Sequence, residues 1–186
     1  MKEKLLKAAL KLFSEEGYNA VGTQKIIDKV GVSKPTLYHH FGSKAGILQE
    51  IMSVHRELLF PELEKAAHYN GDLVWNLEHT METLFHMGTT HEDFFRLLLT
   101  LRFAPPKSEE AELAGSFLAD IFIILENLFV AAEPQNGNIR GKSKVLSRIF
   151  FSTAGTYLGF FWSGEMREER NTAYKAVKQF MHGIYS

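Results

Sequence analysis

Apolar residues in this chain recur three and four positions apart, and no stretch sustains the alternation of a half-buried strand. The pattern predicts an all-α protein of about nine helices. Leu5, Ala8, Ala9, Leu12 and Phe13 share one face of a first helix over about 2–16, with Lys4, Lys7 and Lys11 off that face and Gly17 ending it. A second, short helix begins near Gly22 or Thr23 and stops before Gly31. Ser33 is placed to cap a third, which takes Pro35 in its first turn and stops at Phe41-Gly42. Ser43 caps a fourth, which carries Ile47, Leu48, Ile51, Met52 and His55 inward until Pro61 kinks or ends it. Further helices are predicted over 72–88, 91–103, 108–133, 143–164 and 167–185.

The joint between the second and third helices is the most informative stretch. Gly31 permits the left-handed backbone of a tight turn, and Val32 after it can lock the two helices together. Ile26, Ile27, Val30, Leu37 and Phe41 complete a small core. This is the plan of a helix-turn-helix, whose second helix enters a DNA major groove. The outward positions suit that use. Lys34 and Thr36 stand at the N-terminal end of the third helix, where side chains reach base edges and amides meet phosphate. Tyr38 and His39 lie beside them, able to donate to phosphate oxygens, and Lys44 opens the next helix. His40 faces either phosphate or the fourth helix.

Charge sharpens the picture. The net charge of the 186 residues is −1, yet residues 1–46 hold eight Lys against four acids, a net of +4, which leaves −5 for the remainder. A basic head on an acidic body is what a nucleic-acid reader with a separate second function would show. There is no cysteine, which excludes disulfides and Cys-based zinc sites and suits a reducing cytoplasm. The charged N-terminal helix does not read as a signal peptide. The longest uncharged run, 149–164, is short for a bilayer span and contains Ser152, Thr153, Thr156 and Ser163, so it reads as a buried helix and no membrane partner is expected. The sequence holds no Gly-rich phosphate loop, no Gly-x-Ser-x-Gly and no His-Glu-x-x-His, and no enzyme activity or cofactor is expected.

The stretch 17–48, "GYNAVGTQKIIDKVGVSKPTLYHHFGSKAGIL", resembles the DNA-binding segment of the TetR (tetracycline-repressor, AcrR-type) family of bacterial regulators. The shared residues are Gly17-Tyr18, Ile26, Gly31-Val32-Ser33, Leu37-Tyr38, Phe41 and Ser43-Lys44, in order and spacing. The family usually opens its second helix with Thr or Ser where this chain has Gly22, so Thr23 takes over the corresponding phosphate contact. The resemblance implies a helix-turn-helix domain over 1–46 and a ligand-binding and dimerisation domain over 47–186. It assigns Thr23, Gln24, Lys34, Pro35, Thr36, Tyr38, His39, His40 and Lys44 to a palindromic DNA operator, read by a homodimer and released by a small apolar or aromatic effector. The competing reading is a helical small-molecule-binding or scaffold protein whose head is vestigial.

In the resembled family the last two long helices build the dimer. The small residues Gly155, Gly159 and Ser163 at four-residue spacing, with Trp162, and Tyr174, Val177, Met181 and Ile184 on the following helix, are the expected interface here. The aromatic-rich middle supplies the expected effector pocket: Trp75, Phe94, Phe95, Phe103 and Phe122, with His79, Glu82, His86 and Arg102 as polar groups. Trp75, His79, Glu82 and His86 form one helical stripe, but His79 and His86 are separated by about 10 Å of helix rise and converge poorly on one ion. A polar stripe edging the core is therefore expected, and no metal.

Overall fold

The computed structural model describes residues 1–183. Among them are nine α-helices, one 3-10 turn (Gly137–Ile139) and no strand. The helices are α1 (Lys2–Glu16), α2 (Thr23–Val30), α3 (Lys34–Phe41), α4 (Lys44–Ala66), α5 (Leu73–Thr90), α6 (Glu92–Leu101), α7 (Glu109–Ala132), α8 (Ser143–Ser163) and α9 (Thr172–His182). The expected Ile184 contact lies outside the described residues.

Packing divides the chain into two compact units, Met1–Leu58 with Asp93–Leu118, and Leu59–Glu92 with Ala119 onward. This differs from the division by role at residue 46, which falls inside α4. In the first unit the apolar face of α1, namely Leu5, Ala9, Leu12 and Phe13, is buried as its periodicity requires. Ile26, Ile27 and Leu37 are buried beneath α2 and α3, while Val30, Val32 and Phe41 are only half-buried. Ile47, Leu48, Ile51 and Met52 of α4 are buried, and the His55 ring stacks on Phe94 at 3.9 Å with the planes 5° apart.

In the second unit α9 packs on α5 and α8 through Ala173, Ala176 and Val177. Gly88 lets α5 and α8 meet closely, since a Cβ there would lie 2.3 Å from a Leu158 methyl. Asn76 is fully buried yet satisfied. Its amide nitrogen donates to the His68 carbonyl at 2.9 Å, and its oxygen accepts from the Asn70 amide at 3.0 Å. Thr80 donates to the Ala66 carbonyl, so side chains of α5 satisfy the last carbonyls of α4.

Two expectations change. Pro61 does not end α4, which continues to Ala66 because Leu59, Leu63 and Ala66 are buried on one face across the proline. The last helix starts at Thr172 rather than 167. Residues 167–171 carry no apolar stripe, and the Glu169 amide donates to the Thr172 hydroxyl in a turn. By length and composition alone α7 is long and apolar enough to cross a membrane, but its Ala114, Phe117, Ile121, Leu125, Leu128 and Phe129 are buried.

Candidate nucleic-acid interface

Gly31 ends α2 in the left-handed conformation, φ 76° and ψ 39°, with its amide donating to the Ile27 carbonyl at 2.8 Å. The chain then turns at once into α3. Ser33 holds the N-cap position with extended backbone, but its hydroxyl meets the Thr36 hydroxyl at 2.8 Å and caps no amide. The two hydroxyls so steady each other in the first turn of α3. Gly42 takes φ 70°, and the Ser43 hydroxyl accepts from the Gly46 amide at 3.0 Å to start α4.

Buried Leu37 anchors α3 and leaves the opposite side free. Lys34, Pro35, Tyr38 and His39 are exposed, Tyr38 at 40%. The Lys34 ammonium lies 5.7 Å from the Tyr38 ring centre, a cation held over an aromatic face on the outer side of the helix. Thr36 and His40 are half-buried, and the His40 ring lies between those of His39 and Phe41, at 5.5 and 6.0 Å. At the start of α2, Thr23 is half-buried, and exposed Gln24 donates to Asp28 at 2.8 Å. Lys25 pairs with Glu16 across the α1–α2 connection.

Lys44 is half-buried, with its ammonium 4.2 Å from the centre of the Tyr18 ring. Burial draws its pKa below the usual lysine value, against the pull of nearby Glu110 and Glu109. The Tyr18 hydroxyl donates to Glu109 at 3.2 Å, and burial first, then the Glu109 charge, pushes its pKa up. Asn19 donates to Glu110 at 2.7 Å. Sequence reading missed Asn19, Glu109 and Glu110, because no periodicity links the α1–α2 connection to the first turn of α7.

The residues expected to form one effector pocket are divided between the two compact units. Phe94 and Phe95 are buried in the first unit, where Arg102 sits over Phe103, itself 82% exposed. In the second unit Trp75 is 49% exposed and stacks on His79, while Glu82 and His86 border a surface depression with Glu168, Glu169 and Arg170. Phe122 is half-buried against Phe151. Trp75 and Phe103 thus lie on the surface: the core-facing stripe of α5 runs through Leu77, Met81, Leu84 and Phe85 instead of Trp75, and Phe103 follows the end of α6. Among the described residues no three His, Asp or Glu cluster to hold a metal ion. The second unit contains a different cavity, of about 210 Å³, lined by Leu73, Leu77, Phe129, Leu146, Phe180 and Met181, with Asn136, Asn138 and Lys142 as its polar groups.

Of the expected dimer residues, Gly159, Ser163, Tyr174 and Met181 are exposed and Gly155 half-buried. Trp162 is half-buried, its indole donating to the Gly88 carbonyl at 3.3 Å. Val177 leaves the set: at 1% exposure it belongs to the core face of α9. Val145, Ile149 and Phe160 of α8 are exposed apolar residues that the glycine stripe had overshadowed.

These features define a helix-turn-helix domain: two short helices joined at a left-handed glycine, a buried anchor, and an outward face of Lys, Tyr and His. Residues 5–51 match the bacterial regulatory proteins, tetR family. It is 33% identical over 94 residues to the HTH-type transcriptional activator FasR of Mycolicibacterium smegmatis, covering 50% of this chain and 43% of that one. Over 50 residues, 27% of each chain, it is 40% identical to the negative transcriptional regulator IcaR of the icaADBC biofilm operon from Staphylococcus aureus. The chain spans less than half the length of these curated relatives. Solved structures share the whole fold. The TetR family regulator PfmR of Thermus thermophilus has a TM-score of 0.75 at 25% identity, covering 99% of this chain and 97% of that one. The regulator FadR of Bacillus subtilis in complex with stearoyl-CoA has a TM-score of 0.79 at 17% identity, covering 99% of this chain and 100% of that one.

Proposed function

We propose that this protein is an intracellular transcriptional regulator that represses its target genes by binding a near-palindromic operator as a homodimer, and that a small apolar effector releases it. The observation that carries the reading is the exposed Lys34–Tyr38–His39 face of α3 above the buried anchor Leu37. Lys34 and Thr36 reach bases or the adjoining phosphates. Tyr38, Lys44 and Thr23 grip phosphates on either side.

A dimer supports this use because two half-sites about 34 Å apart multiply the modest affinity of one head. Val145, Ile149 and Phe160 on α8, with Tyr174 and Met181 on α9, present an apolar surface in keeping with such a partner. An apolar effector suits the cavity of about 210 Å³ in the second unit, which is larger than the roughly 150 Å³ known to accept benzene. FadR of Bacillus subtilis was solved with stearoyl-CoA, which motivates testing acyl compounds among the effectors.

Fluorescence anisotropy with labelled duplex from the DNA upstream of the coding sequence tests the reading. Binding should weaken steeply with salt, and Lys34→Ala should lower the salt slope by about 1. Absence of binding at low salt, or binding indifferent to salt, would refute it.

A further inference from the structure

The first turn of α7 reaches the DNA-binding head through a short chain of contacts. Glu109 accepts from the Tyr18 hydroxyl at 3.2 Å, Glu110 accepts from the Asn19 amide at 2.7 Å, and the Tyr18 ring carries the Lys44 ammonium at 4.2 Å from its centre. The Tyr18 ring is wedged edge-on against Phe13, 5.1 Å between centres, so it has little room to turn. Tyr18 and Glu110 are each 5% exposed, while their partners Glu109 and Asn19 are exposed, so both hydrogen bonds are half-buried at the edge of the first unit. All of these residues belong to the first compact unit.

A lysine side chain at the start of a helix would ordinarily sample many rotamers, and a phosphate contact would have to select one of them. Here the ring of Tyr18 selects it in advance, and Glu109 fixes the ring. We propose that Glu109 is a positioning residue for DNA binding: through Tyr18 it holds Lys44 in the place from which it meets the operator phosphate, while Glu110 ties the adjoining Asn19 to the same turn of α7. The inference rests on the DNA-binding reading above. It makes an unusual demand on sign. Two carboxylates near a DNA-facing lysine should weaken DNA binding by repulsion. Positioning requires that removing Glu109 weakens binding instead.

The test is operator binding by anisotropy for the full chain and six variants, each checked for native helicity by circular dichroism. Tyr18→Phe keeps the ring and its contact with Phe13 but loses the hydroxyl, and Glu109→Ala loses the acceptor. Each should weaken binding roughly threefold to tenfold, the range set by the net worth of one ordinary hydrogen bond. The double variant should be no weaker than either single one. Glu109→Gln keeps an oxygen that accepts from Tyr18 and should bind like the parent protein. In a Lys44→Ala background, Tyr18→Phe should change nothing further. Tighter binding by Glu109→Ala or Glu109→Gln, unchanged binding by Tyr18→Phe, or an effect of Tyr18→Phe that persists without Lys44 would each overturn the inference and leave the DNA-binding reading standing. Failure of the parent protein to bind any upstream DNA would overturn both. If Glu109→Ala does not fold, Tyr18→Phe and Glu109→Gln decide alone.

Discussion

Replacing Gly46 by Ala tests the junction between α3 and α4, on which the placement of Tyr38 relative to Lys44 depends. A Cβ at residue 46 would sit 1.9 Å from the Phe41 carbonyl oxygen and 3.1 Å from its carbonyl carbon. That oxygen cannot step aside cheaply, because it is backbone and accepts from the Ser43 amide at 2.8 Å. The chain must therefore open by about 1 Å, an overpacking strain of about 1–3 kcal/mol. Opening also stretches the bond from the Gly46 amide to the Ser43 hydroxyl, a cap worth about 1 kcal/mol. Alanine returns about 1 kcal/mol of helix propensity over glycine. The net expectation is a loss of about 1–3 kcal/mol, a fall in melting temperature of about 2–4 °C for each kcal/mol in a chain of this size. Thermal unfolding by circular dichroism measures it. Operator affinity, read at a temperature where the variant is fully folded, should also fall, because the end of α3 moves away from Lys44. A melting temperature at or above the parent value, with affinity intact, would refute the steric reasoning and show that propensity decides this position.

Gly88→Ala should destabilise the second unit by about 1–3 kcal/mol, since Leu158 is 1% exposed and has nowhere to swing. Adding Leu158→Ala should then cost less than in the parent background, a coupling that a denaturant double-mutant cycle reads directly. Glu110 is held below the ordinary carboxylate range by its own backbone amide first, then by Asn19 and Ser108. Its folded pKa lies below its unfolded one, so the stability it contributes is present above about pH 4.5 and is lost as pH falls through the folded value. Glu110→Gln should accordingly lower the neutral plateau and leave the acid end nearly unchanged, so that the acid limb flattens; an unchanged acid limb would count against the assignment. Ile149→Asp, placed on the exposed apolar stripe of α8, should convert a dimer to monomer in analytical ultracentrifugation and weaken operator binding, with helicity retained.

What the sequence determined by itself was the local plan. Helical periodicity, Gly17, Gly31 and Gly42 set the ends of α1, α2 and α3 within a residue, because a turn at positive φ and an apolar spacing of three and four are properties of neighbours in the chain. The outward character of Lys34, Tyr38 and His39 followed from the same logic once Leu37 was taken as the buried anchor. Only the tertiary structure decided which residues complete that face. The Ser33 hydroxyl turned to Thr36 rather than to an amide, Lys44 settled on Tyr18, and Tyr18 found Glu109, 91 residues away. It also decided which apolar stripes are core and which are surface. Val177 is buried and Trp75 exposed although both sit in plausible helical stripes, because a stripe fixes which residues share a face and leaves open what that face meets. α4 ran past Pro61 for the same reason: burial of Leu59, Leu63 and Ala66 outweighs one missing backbone hydrogen bond, and burial depends on partners distant in sequence.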